Sequence, residues 1–189
     1  TLIRILINIS LIISIPLLIW EGNWIFVFLS ILTFFLLSLP DRFQKKYKIK
    51  IPSKLEIAIT LFIYAGVFLG GVREFYYKIW WWDSVLHLVS GVILGLAGFL
   101  IFHVKYKKKE ITASLEVVVF FTFCFAVAVL SLWEIFEFSM DTFFGYNMQK
   151  ARDLCVSSIS CSSRLGVIDT MVDLILGSFG ALLSSVTGY

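Results

Sequence analysis

Charge is scarce in this sequence. Only 15% of its 189 residues are Asp, Glu, Lys or Arg, while 59% are hydrophobic and the mean hydropathy is +0.93. A soluble domain carries about 25% charge and roughly 45–50% apolar residues, so a water-soluble globule is excluded. Cysteine is scarce too. There are three, Cys124, Cys155 and Cys161, and no CxxC or Cys/His spacing that would build a thiolate metal centre. No internal repeat is present, and no segment alternates apolar and polar residues as a barrel strand does. The net charge of +3 does not indicate a nucleic-acid partner, because the Lys and Arg lie in short loops.

What is present is a series of long apolar runs. A run of about 17–25 residues crosses roughly 30 Å of hydrocarbon as a helix. The runs predict an all-α, polytopic membrane helix bundle with about six transmembrane helices, over 2–20, 24–39, 55–72, 83–104, 114–140 and 165–186, in a single domain of residues 1–189. Pro40 is expected to end the second run. The first run is longer than a signal peptide and is followed by no small-residue cleavage site, so a retained helix is expected. Cys124 reads as a small core residue. Cys155 and Cys161 share one loop, as a disulfide or as two thiols.

Charge placement sets an expected topology. Arg4 and the loops after the second and fourth runs hold 11 of the 16 Lys and Arg. By the positive-inside rule those loops and both termini are cytoplasmic. The outer side then carries Arg73, Lys78, Lys150, Arg152 and Arg164. An aromatic patch, Phe75 to Trp82, reads as an interface belt.

Against this apolar background a few ionisable residues stand out, since each is costly in hydrocarbon and marks function by default. The fourth run carries Asp83 and His87, one of only two histidines in the chain. The fifth ends with Glu134, Glu137 and Asp141. The sixth begins with Asp169 and Asp173. At 100° per residue, Glu134 and Asp141 are about 20° apart on a helix, Asp83 and His87 about 40°, and Asp169 and Asp173 about 40°. Each helix therefore offers one polar stripe, and the topology brings all three stripes to the outer end. Ser90, Gly91, Gly95 and Gly98 continue the first stripe, and Gly177 and Gly180 continue the last, as expected of closely packed helix faces.

Six carboxylates and one imidazole at one depth need a cation, shared protons or basic partners. The donor set suits a divalent metal such as Mg, Mn, Ca or Fe, with Zn also allowed. The expected ligands are Asp83, His87, Glu134, Glu137, Asp141, Asp169 and Asp173. Asp83, His87 and Glu134 are the candidate catalytic groups, and Arg73, Arg152 and Arg164 the candidate substrate contacts. The corresponding function is a metal-dependent enzyme acting on a lipid or isoprenoid phosphate. Two alternatives stay open, a cation or proton transporter and a non-catalytic assembly or partner-binding protein. Blander readings also stand: Asp83 as a helix cap, His87 as a satisfied core residue, Asp141 as an interface residue, and His103 as an interface residue beside the lysines.

The motifs DxxLHxxSG (Asp83, Leu86, His87, Ser90, Gly91), WExxEFxxD (Trp133, Glu134, Glu137, Phe138, Asp141), GxNMQ (Gly145, Asn147, Met148, Gln149) and DTMxDLxxGxxGA (Asp169, Thr170, Met171, Asp173, Leu174, Gly177, Gly180, Ala181) follow in this order. The pattern resembles the YjdF-like family of small integral membrane proteins of bacteria and archaea. The resemblance implies a prokaryotic cell-membrane protein and strengthens the polar stripes as a site. It implies no substrate.

Overall fold

The computed structural model describes residues 2–150 and 159–187, with side chains from 164 onward in the second stretch. Arg152, Cys155 and the side chain of Cys161 lie outside the described residues. Every described element is helical: α1 Leu2–Trp20, α2 Trp24–Leu37, α3 Leu39–Tyr47, α4 Ser53–Ile63, a π-helical segment Tyr64–Val72, α5 Phe75–Lys78, α6 Trp82–Lys107, α7 Leu115–Phe144 and α8 Ile159–Thr187. Six stretches are long and apolar enough to cross a membrane: Leu2–Trp20, Trp24–Tyr47, Ser53–Val72, Trp82–Lys107, Leu115–Phe144 and Arg164–Thr187. Helices follow from the solvent, because a backbone in hydrocarbon must satisfy its own hydrogen bonds. The six-span, all-α expectation is met, with differences in detail.

The chain forms two compact units, residues 1–86 and 87–189. In the first, Ile7, Leu11, Leu37, Phe68 and Val72 form the core. Polar ties lie among these greasy surfaces. Ser10 Oγ and Tyr64 Oη are 2.9 Å apart. Arg4 Nη1 is 2.8 Å from Asp41 and 3.7 Å from Glu56, while Nη2 donates to the Leu37 carbonyl at 2.5 Å. That last bond explains a departure from expectation. The second run does not end at Pro40. The helix breaks at Ser38, and Pro40 lies in the first turn of α3, where its missing N–H costs nothing. Arg4 supplies a donor to a carbonyl at the break.

The π-helical segment is a second departure. Its widened pattern continues past its end, where Arg73 N donates to the Phe68 carbonyl at 2.9 Å. A Cβ at Gly70 would meet Cζ of Tyr76 at 2.8 Å, so glycine is what admits the ring of α5 against this segment. Beyond it, Phe75 meets Trp82 edge-on at 5.0 Å. Trp80 and Trp81 are exposed, as expected of interface anchors.

The second unit contains α6 from His87 onward, α7 and α8. On α7 the buried positions are Thr122, Ala126, Leu130, Glu134 and Glu137, a stripe at spacings of four and three. Cys124 is off that stripe and exposed. Its expected place in the core is therefore corrected: two residues from Thr122 means about 200° around the helix.

Candidate functional site

The site begins with glycine. Gly91 on α6 lies against the Gly177 carbonyl on α8, and a Cβ there would also stand 2.9 Å from the Ala181 nitrogen. Gly180 reciprocates against the Leu88 carbonyl, and 3.1 Å separates its missing Cβ from Val92 N. Gly95 lies against Ser184. These contacts bring the α6 and α8 backbones together, as small residues do where helices pack in lipid. The third helix closes on the same spot. A Cβ on Gly177 would meet Leu130 Cδ1 of α7 at 2.7 Å.

One turn from this contact, on each helix, stands an ionisable side chain. His87 is 6% exposed, Glu134 4% and Asp173 2%. His87 Nδ1 is 3.6 Å from Glu134 Oε1, and His87 Nε2 is 3.7 Å from Asp173 Oδ2. The imidazole thus stands between two buried carboxylates, one from each neighbouring helix. The Ser90 hydroxyl donates to the His87 carbonyl at 2.7 Å.

The other acids have different surroundings. Glu137 is buried, and its Oε1 accepts the indole N–H of Trp133 at 2.8 Å. Asp141 is half-buried. Its Oδ1 accepts the backbone N–H of Met148 at 2.6 Å, and Oδ2 that of Gln149 at 2.9 Å. Gln149 Nε2 then donates to Thr170 Oγ1 at 2.8 Å. Asp141 therefore folds the GxNMQ loop back over the end of α7, and Gln149 ties the loop to α8. Asp169 is half-buried, one turn before Asp173. Asp83 is half-buried in the first turn of α6, one turn before His87. Among the candidate substrate contacts, Arg73 and Arg164 are exposed.

Two of these ties were not foreseen. The Trp133–Glu137 bond has the i,i+4 spacing at which helix side chains meet, so the WExxE motif already contained it. The Gln149–Thr170 bond joins two motif residues, but no spacing rule connects a loop to the next helix.

Further along the three helices the layer changes. Ile93, Ala126, Leu130 and Ala181 are buried and apolar. Past them, Thr122 Oγ1 donates to Ser185 Oγ at 3.3 Å. Thr122 is twelve residues from Glu134, or about 18 Å along the helix. The ionisable layer is thus confined to one end of the unit.

A carboxylate–imidazole–carboxylate arrangement away from bulk water does one of two things. It shares protons, or it helps to hold a cation. The separations of 3.6 and 3.7 Å are too long for direct hydrogen bonds. Two donors each about 2.1 Å from one ion and about 110–120° apart stand roughly 3.5 Å from each other. The His87 Nε2–Asp173 edge matches that spacing, so these two donors fit one divalent ion, while Glu134 faces the other ring nitrogen.

Comparison with known proteins agrees with a membrane protein of this kind. A protein of Thermotoga maritima named only "Uncharacterized protein" is 26% identical over 142 residues, which is 75% of this chain and 65% of the relative. The chain thus spans just under two thirds of that relative's length. No solved structure matches the chain. A family model matches residues 2–189, and the chain belongs to the family that it describes, "Predicted membrane protein (DUF2238)".

Proposed function

We propose that the His87 layer holds a divalent cation, and that the protein is a metal-dependent membrane enzyme acting on a lipid or isoprenoid phosphate. One observation carries the reading: a buried imidazole faces a carboxylate at each ring nitrogen, at 3.6 and 3.7 Å. Metal-bound histidines commonly ligate through one nitrogen and give the other N–H to a carboxylate. Here Nε2 and Asp173 would hold the ion, and the Glu134 carboxylate faces Nδ1 on the other side of the ring at 3.6 Å. Asp83 lies one turn before His87 on the same helix, α6. A set rich in oxygen with one imidazole suits Mg, Mn, Ca or Fe better than structural zinc. Bound there, the ion supplies a Lewis acid for a phosphoryl oxygen and lowers the pKa of a ligated water. Asp83, on the same helix as His87, is the candidate acceptor of that water's proton. Arg164, exposed on α8, is a candidate phosphate contact on the side where the charge distribution predicts an outward face. The buried apolar layer of Ile93, Ala126, Leu130 and Ala181 weighs against a polar path and hence against transport.

The test has two stages. Protein purified without chelator is assayed for metal, and manganese is titrated in by electron paramagnetic resonance. About one ion per chain is expected for the native sequence, with loss in His87→Ala and Asp173→Asn. If no divalent ion binds the native protein, the reading fails at its root. Phosphate release from isoprenyl and diacylglycerol phosphates is then measured in proteoliposomes. Binding without turnover removes the enzyme and keeps the cation site.

A further inference from the structure

The first unit contains an open depression of about 520 Å³ that the His87 layer does not use. It lies where the π-helical segment ends and the chain turns into α5. The turn is tight: Glu74 adopts a left-handed conformation at φ 61°. Leu18, Phe26, Val72 and Phe75 supply the apolar part of the lining. The remainder is polar, with Glu21, Asn23, Arg73, Glu74 and Lys78.

The charges there are unevenly used. Glu21 Oε2 accepts from Asn23 Nδ2 at 3.0 Å. Glu74 Oε2 accepts from Lys78 Nζ at 2.9 Å, and the same ammonium donates to the Arg73 carbonyl at 3.0 Å. Both acids and one cation are therefore engaged within the chain. The Arg73 guanidinium is exposed and makes no ion pair or side-chain hydrogen bond among the described residues. An uncommitted fork of N–H donors in a depression that also has apolar lining residues matches an amphiphile with an anionic head. Level agrees with chemistry. Trp20, Trp24, Tyr77 and Trp80, close in sequence to the lining residues, are all exposed, and exposed Trp and Tyr mark the membrane–water interface.

We infer that this depression binds the phosphodiester headgroup of a membrane phospholipid. Arg73 takes the phosphate oxygens through its planar fork, which fits phosphate better than an ammonium does. Phe26, Leu18 and Phe75 take the glycerol and the start of the acyl chains. This site stands independently of any cation at His87.

The experiment is native mass spectrometry of the full chain in detergent, titrated with phosphatidylglycerol, with inorganic phosphate as competitor. The native sequence is expected to retain one lipid per chain. Arg73→Gln is expected to weaken binding at least tenfold, and Arg73→Lys less. Arg42→Gln, in the basic α3, is expected to change it by less than twofold, which separates the site from general attraction to basic loops. Phe26→Ala is expected to weaken lipid binding severalfold. Because the Arg73 side chain makes no ion pair or hydrogen bond among the described residues, its variants are expected to keep the fold, checked by unchanged helical circular dichroism. Lipid binding insensitive to Arg73→Gln overturns the inference. So does full displacement of lipid by millimolar phosphate with no effect of Phe26→Ala, which would make this a free-anion site.

Discussion

Gly91 on α6 lies directly against the carbonyl of Gly177 on α8, with no room between them for a methyl group. The contact sets the distance between the two helices one turn from His87 and Asp173. Gly91→Ala forces the helices apart or bends them, and overpacking of this kind costs about 1–3 kcal/mol. The expected outcome is a lowered melting temperature in detergent. Gly66 is the control. There a Cβ meets only the Tyr76 hydroxyl at 3.7 Å, an ordinary contact. Gly66→Ala is expected to be neutral or slightly stabilising, since alanine is the better helix former. Equal losses at both positions would falsify the close-approach argument.

This contact also shows how far the sequence could be read. The glycine stripes and acid stripes were legible because spacings of three and four put residues on one face whatever the neighbours are. That is why His87, Glu134 and Asp173 were foreseeable as a group. A helical wheel gives a direction but not a partner. Asp141 lies about 20° from Glu134 by periodicity, yet its oxygens accept loop amides, because the helix ends just beyond it and the returning chain brings unpaired N–H groups within reach. Pro40 misled for a related reason. Proline stops one helix as readily as it starts the next, and the donor that stabilises the break, Arg4, is 33 residues away from Leu37. The π-helical segment had no sequence signal of its own.

Asp141 provides a second test. Asp141→Asn keeps one acceptor oxygen but places an amide NH2 against a backbone N–H of Met148 or Gln149. A lost charge-assisted bond and a donor facing a donor cost about 1–3 kcal/mol. The expected result is faster amide hydrogen exchange at Met148 and Gln149 and a lower melting temperature, with the manganese stoichiometry of the folded protein unchanged. Loss of the ion with the loop still protected would instead make Asp141 a ligand.

The α6–α7 connection offers a prediction outside the membrane segments. Lys105 Nζ is 2.6 Å from Glu110 Oε2. The hydrogen bond from this ammonium, the largest influence, holds the Glu110 carboxyl below its usual range, with the charges of Lys105 and Lys108 adding to it and desolvation opposing it. A carboxylate with a depressed folded-state pKa contributes stability above its unfolded pKa, and that contribution is lost as pH falls through the folded value. Glu110 is fully exposed, so the effect is local. Carbon-detected NMR of Glu110 is expected to show a depressed midpoint that rises in Lys105→Met. An unchanged midpoint would mean that the pair does not persist in solution.

The most discriminating measurement at the site is the change in stability on adding an ion. His87→Ala removes the group that separates Glu134 from Asp173 and leaves two buried carboxylates facing one another. Its basal stability therefore changes whether or not an ion binds, and a lowered melting temperature alone says nothing about metal. The increment does. An ion that binds only the folded chain adds about 2.7 kcal/mol at one hundred times its dissociation constant. Chelator is expected to lower the melting temperature of the native protein, and manganese to restore it. His87→Ala and Asp173→Asn are expected to respond to neither. Arg73→Gln, which lies in the other unit, is expected to respond as the native protein does. If the native protein is indifferent to both chelator and manganese while His87→Ala is destabilised, His87 serves the two carboxylates without an ion, and the metal reading of this layer falls.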